Sequence, residues 1–309
     1  MNTIPEPIDI GAWRSYQSYT NKDQIALQRE NLYYTGLHNG LGDICFIFTT
    51  EMAELNQKIQ EMSRLIRIED TTTAVEDEIF YTTKIEGAKT TRKRTSEIHN
   101  GAKLDKNNEY SERMVKNGFA ATKLLNLYDG KLTEDVLLKT WAILTDKVLD
   151  NEDIKGNNQY LYRTGDVLVG SHEGPSYKNV NSLMSQWIAF YNSDDMNDFP
   201  FIKASLLHYA FETIHPFCDG NGRMGRLLIN NYLIKNGIES AKAVSFSMQI
   251  DARREHYDAA FVDAENLYND CTPFLQYMLE IMYTTYESVL EKYHPIETEN
   301  TVDKNYEER

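Results

Sequence analysis

The sequence predicts an all-α protein: a helical core, a helical region ahead of it and one short β-hairpin flap. Three observations carry that prediction. Apolar residues recur three and four apart in one stretch after another, the repeat of a single helix face. Proline, threonine and glycine stand where such stretches begin and end. One segment abandons the helical repeat for alternation and turn residues.

In chain order, LNQKIQEMSRLIRI (Leu55 to Ile68) reads as the first helix. From Ala88 to Tyr110 the chain is rich in Lys, Asn and Thr, which predicts a loop between an N-terminal helical region (1–105) and a core (106–290). VLLKTWAILTDKVL (Val136 to Leu149) and VNSLMSQWIAFY (Val180 to Tyr191) follow as helices. In Tyr162 to Val180, Val167 and Val169 alternate and Glu173-Gly174-Pro175 is turn chemistry, so this segment reads as a short β-hairpin or an extended flap. FIKASLLHYAFETIH (Phe201 to His215) starts after Pro200. RMGRLLINNYLIKNG reads as a helix from about Arg223, with Gly237 as its C-terminal cap. Thr272 as N-cap and Pro273 in the first turn open the last helix. Residues 291–309 read as a polar tail.

Composition narrows the function. The 309 residues carry a net charge of -15, which disfavours non-specific binding to nucleic acid or anionic membranes. An anionic substrate would need a local cluster of arginines. Cys45, Cys218 and Cys271 are too few and scattered for a disulfide framework or a zinc site. No basic-then-apolar leader opens the chain and no apolar run reaches membrane-spanning length, so a cytoplasmic protein without a membrane role is expected.

The chemistry concentrates in HPFCDGNGR, His215 to Arg223. One helix ends at His215 and the next begins near Arg223. Gly220 and Gly222 allow backbone conformations that turn amides inward as an anion nest. The following helix aims its positive end at the same place. Arg223 and Arg226, three apart, share a face, and guanidinium forks suit phosphate oxygens. Asp219 fits such a nest when a cation lies between it and the phosphates, and Mg²⁺ is held that way. His215 has the pKa of a general base. Those residues predict attack by an activated hydroxyl on a metal-bound nucleotide phosphate. A structural histidine, an ordinary turn, or a His215–Asp219 metal pair are the plainer alternatives. No GxxxxGK[ST] loop occurs.

HPFCDGNGRMGR also matches HxFx[DE]GNGRxxR at every fixed position, and the chain thereby resembles the Fic proteins. The resemblance implies an all-α core with a β-hairpin flap, and transfer of AMP from ATP to a Ser, Thr or Tyr hydroxyl of a target protein, possibly the chain itself. It makes His215 the base, Phe217 a core anchor and Asp219 the Mg²⁺ ligand. Gly220, Asn221, Gly222, Arg223, Met224 and Gly225 would cradle the nucleotide phosphates, with Arg226 at the γ-phosphate. Gly222, where phosphorylating relatives carry lysine, favours AMP transfer. Val167, Leu168, Val169 and Gly170 match the flap strand that lines the nucleotide site. His256 and Tyr257 stand where two tyrosines often contact the nucleotide, and Ala264 replaces an asparagine found in some members. Tyr177-Lys178-Asn179 stands where a Pro-Pro pair is common.

TTKIEG (Thr82 to Gly87) fits the Fic inhibitory pattern [ST]xxxE[GN] through Thr82, Glu86 and Gly87. Thr82 and Glu86 share a helix face, and Gly87 can end that helix. The implied brake is an intramolecular Glu86–Arg226 pair that bends ATP out of line with His215. The same glutamate supports AMP removal as an alternative. Two other classes compete: a non-catalytic nucleotide sensor and a metal-dependent phosphohydrolase. The second lacks a further ligand cluster, since His172 reads as a surface residue and His208 as a packed one. Self-association is possible. Only a short polar tail follows the last helix, so no DNA-binding module is expected.

Overall fold

The computed structural model describes residues 4–8, 32–67, 71–149, 162–170 and 172–293. The expected tail beyond 293, the end of the first helix at Ile68 and the N-terminal dozen residues lie largely outside that range. Eleven α-helices and two two-stranded hairpins are present among the described residues. The order is β1 (Leu32–His38), β2 (Asp43–Ile47), α1 (Thr50–Leu65), α2 (Thr72–Ile85), α3 (Arg92–His99), α4 (Glu109–Leu127) and α5 (Glu134–Leu144). Then come β3 (Leu168–Val169), β4 (His172–Glu173), α6 (Val180–Tyr191), α7 (Pro200–Ile214), α8 (Asn221–Lys235), α9 (Phe246–Ala252), α10 (Arg254–Asn266) and α11 (Thr272–Tyr293). The all-α class and the flap expected from the sequence are what the chain builds.

Helix α7 is the axis of the molecule. Pro200 occupies its first turn, where a missing N–H costs nothing, and every residue from Pro200 to Ile214 except Glu212 is buried. It packs on α8 and α11. At the α7–α8 crossing the two backbones come close. A Cβ at Gly225 would collide with the Glu212 carboxyl and lie 2.9 Å from His208 Nδ1. Gly225 therefore serves packing between the two helices. Gly225→Ala should cost roughly 1–3 kcal/mol, the usual penalty of overpacking, read from the urea midpoint.

One hydrophobic core runs from Phe46 and Phe48 through Ile79, Trp187 and Phe217 to Tyr286, without a break at 105/106. Threonines cap where the periodicity begins: Thr49 accepts from the Met52 amide at 3.1 Å and Thr133 from Val136 at 3.3 Å.

The structure departs from expectation at four places. The N-terminal region contains a hairpin, β1–β2, whose buried Tyr33, Leu37 and Ile44 to Ile47 face the core. The Ala88–Tyr110 segment is not a plain loop: it holds α3, capped by Thr91. Its residues are mostly polar and only Thr95 and Ile98 are buried, so no apolar stripe announces it. The flap turns at Gly170, with φ +61, and Glu173-Gly174-Pro175 is its exit. Thr272 is the first residue of α11, and its hydroxyl accepts from the Ile47 amide at 2.8 Å, tying α11 to β2.

Candidate active site

The loop between α7 and α8 is folded by its own side chains. Asn221 accepts from the Phe217 amide and donates to the Phe217 carbonyl, both at 2.9 Å. Phe217 is fully buried and stacks on Trp141, with centroids 4.7 Å apart and planes 7° apart. The Trp141 indole N–H holds the Asp219 carbonyl at 2.8 Å. Gly220, at φ +83, turns the chain into α8. The first amides of α8 have no intrahelical partner and carry its positive end.

His215 ends α7 in the left-handed region, at φ +49. Its Nδ1 lies 3.3 Å from the Glu212 carbonyl. A carbonyl only accepts, so Nδ1 carries the proton and Nε2 the lone pair. Burial pushes the imidazole down to about 4; the charges of His172 and Arg163 act the same way, while the Glu212 carbonyl and Glu86 oppose it. The folded value lies below that of a free histidine, so the unfolded chain takes up the proton first. Stability therefore falls as pH drops from about 6.5 toward the folded value. An NMR titration of the His215 ring should show a neutral imidazole throughout pH 6–8, with its midpoint near 4.

Arg223 and Arg226 are both buried. Arg223 donates Nη2 to Asp219 at 2.8 Å, and its Nε and Nη1 are buried with no hydrogen-bond partner. Arg226 donates Nε to the Thr82 hydroxyl at 2.8 Å and Nη2 to Glu86 at 2.5 Å. Glu86 caps α2, and Gly87 follows at φ +85, leaving the helix by a turn that glycine permits. Burial alone would raise the Glu86 carboxyl, but the charge and hydrogen bond of Arg226, with Arg223 and Arg254, hold it below its usual range. The pair is therefore complete above the ordinary carboxylate pKa and breaks only as pH falls through the depressed value. A Cβ at Gly222 would run into the Glu86 carboxylate, so the glutamate sits directly against the loop.

A cleft of about 420 Å³ opens here, within the usual range for ligand sites. Glu86, Val169, Gly170, His215, Gly222, Arg226 and Tyr257 line it. The structure thus brings His215, the flap, the loop and α2 together. Asp219, Gly220, Asn221, Arg223, Met224 and Gly225 are outside the lining. Met224 belongs to the core, and Asn221 is consumed by the loop. Leu168 points away and is 72% exposed, while Val167 packs by Gly174. His256 is exposed and lies off the cleft: one residue along a helix turns the side chain about 100°, and Tyr257 has the inward position. His172 is not a surface residue. It bonds the Thr213 carbonyl through Nε2 at 2.8 Å, pairs with Glu265 through Nδ1, and lines the cleft.

Glu212 and Arg254 also line the cleft and were not singled out from the sequence. Burial pushes the Glu212 carboxyl up to about 8, with Arg226 opposing and Glu86 adding to the rise. Its signal was available: Glu212 is the one carboxylate of the largely apolar α7, whose other charged residue is Lys203. His208 is packed, as expected, with Nε2 at 2.7 Å from the Tyr257 hydroxyl.

Fold and site define a helical domain that seats a histidine and a glycine-rich loop at one helix junction. Residues 131–233, which hold this junction, match the model of the Fic/DOC family, so that segment is similar to a Fic domain. A protein adenylyltransferase Fic of Aedes aegypti is 29% identical over 202 residues, which are 63% of this chain and 37% of the relative. A protein adenylyltransferase Fic of Drosophila grimshawi is 37% identical over 105 residues, 33% of this chain and 21% of that one. The chain thus spans between about a fifth and little more than a third of the length of the curated relatives it matches. A Fic family protein from Desulfovibrio desulfuricans G20 shares the fold at a TM-score of 0.70 and 22% identity, covering 81% of this chain and 77% of its own.

Proposed function

We propose that this chain is a Mg²⁺-dependent protein adenylyltransferase held in check by Glu86. The observation that carries the reading is one cleft lined by His215, Gly222, Arg226 and Glu86 together. A target hydroxyl gives its proton to His215 Nε2 as its oxygen bonds to the α-phosphorus of ATP. The bond from that phosphorus to the bridging oxygen breaks, and pyrophosphate leaves. The amides opening α8 and the two unpaired donors of Arg223 suit the phosphate oxygens. Asp219 is a single, partly exposed carboxylate beside that nest, which suits a Mg²⁺ shared with phosphates. Bound there, the ion would neutralise phosphate charge as pyrophosphate departs. The adenylyltransferase names of the relatives support the same reaction. An unidentified protein with a hydroxyl side chain is the target, and the chain's own side chains are candidates.

The test uses ATP labelled at the α- or the γ-phosphate, with Mg²⁺ and cell lysate. Label should pass to protein from the α-position alone. Transfer from the γ-position would make the chain a kinase and overturn the reading.

A further inference from the structure

We propose that Arg163 is a positioning residue that locks the flap to the base-bearing end of α7, so that strand β3 and His215 face the nucleotide as one unit. The inference rests on the AMP-transfer reading for its meaning, but its geometry stands apart from it. A helix ends with carbonyls that no later turn can satisfy. Here four in succession, those of Thr213, Ile214, His215 and Pro216, take their donors from the flap segment. His172 Nε2 meets Thr213 at 2.8 Å. Arg163 Nη2 lies 3.4 Å from the Ile214 carbonyl, and Nε donates to His215 at 2.8 Å. The Arg163 backbone N–H donates to Pro216 at 2.8 Å.

The other side of the same guanidinium holds the flap. Arg163 Nη1 donates to the Gly165 carbonyl at 2.7 Å, on the way into β3, and Nη2 donates to the Pro175 carbonyl, on the way out of β4. One side chain thus joins both roots of the flap to the carbonyl of the base itself. Arg163 is 4% exposed, and its nearest carboxylate, Asp166, lies 4.0 Å away at the limit of an ion pair and is largely exposed. Its charge is met mainly by carbonyl oxygens. Only the planar five-donor fork of arginine can reach carbonyls on several sides at once; an ammonium cannot span them. His215 is held at positive φ, a conformation costly for a non-glycine residue, and the bond to its carbonyl helps to keep it there.

The test compares the wild-type chain with Arg163→Lys and Arg163→Ala, each also carrying Glu86→Gly for kinetics. Amide exchange without nucleotide should rise together in the flap (165–170, 172–175) and in the loop (215–218), by about 10-fold, while α4 and α11 stay unchanged. In the Glu86→Gly background, kcat should fall about 30-fold with KM moving less than about threefold. Ethylguanidinium should restore turnover to Arg163→Ala but not to Arg163→Lys, a response that general destabilisation would not give. If Arg163→Ala does not fold, Arg163→Lys carries the exchange and kinetic arms. Faster exchange in the flap with the loop unchanged, or kcat unchanged, overturns the proposal. A chain with no AMP transfer in any variant would instead overturn the functional reading and leave the exchange result to decide this one.

Discussion

Glu86→Gly is expected to raise AMP transfer about 100-fold, since a small misplacement of reacting groups costs about that much. The carboxylate occupies Arg226, lies against Gly222 and lines the cleft that His215 shares. While that pair stands, Arg226 cannot give its Nη2 to a phosphate, and a nucleotide must enter around a negative charge. Position 86 has φ -90, which glycine adopts readily, and Gly87 keeps the turn, so α2 should retain its end. The substitution also removes the carboxylate partner of a buried guanidinium. A fully buried pair broken this way loses 3–5 kcal/mol; Glu86 is 29% exposed and Thr82 still binds Nε, so about 1–3 kcal/mol is expected. The variant should be faster and less stable together. Steady-state transfer from labelled ATP and a denaturant melt read both. A stability loss without a gain in transfer would leave Glu86 a structural ion pair and remove the brake.

The helices and the loop were legible because their signals are local. Pro200, the α7 periodicity, the glycines of HPFCDGNGR and the arginine spacing each act within a few residues. What stayed hidden depends on contacts far apart in sequence. The β1–β2 hairpin carried a usable signal, Asn39-Gly40 between the β-prone LYYTGLH and DICFIF, but its alternation is imperfect because the register shifts between Tyr34 and His38. Helix α3 has almost no apolar face to read. His172 looks exposed in a turn-rich segment, yet Thr213 and Glu265, both distant in sequence, hold it half-buried. Asn221 and Gly225 belong to a phosphate motif by position, while their side-chain space is spent on folding the loop and packing α7 on α8.

His215→Ala, made in the Glu86→Gly background, should lower transfer by about 10²–10⁴-fold, the range a positioned base contributes. In the proposed reaction the lone pair at Nε2 takes the hydroxyl proton, and the imidazole is already neutral at pH 7 because burial pushes it down to about 4. ATP affinity should stay within about threefold, because the donors suited to phosphate sit on α8 and not on His215. The ring's hydrogen bond within the protein is the 3.3 Å contact to Glu212, so little stability is lost at pH 7. A second readout separates loss of the base from loss of structure. The partly buried imidazole destabilises the parent as pH falls below about 6.5, since its unfolded form protonates first. The alanine variant lacks that group, so its stability should decline less between pH 6.5 and 4.5 than the parent's. Transfer that survives the substitution would move the base elsewhere in the cleft, with Glu212 and His172 the nearest candidates. Transfer abolished with an unaltered acid dependence would mean that His215 titrates outside the depressed range assigned to it.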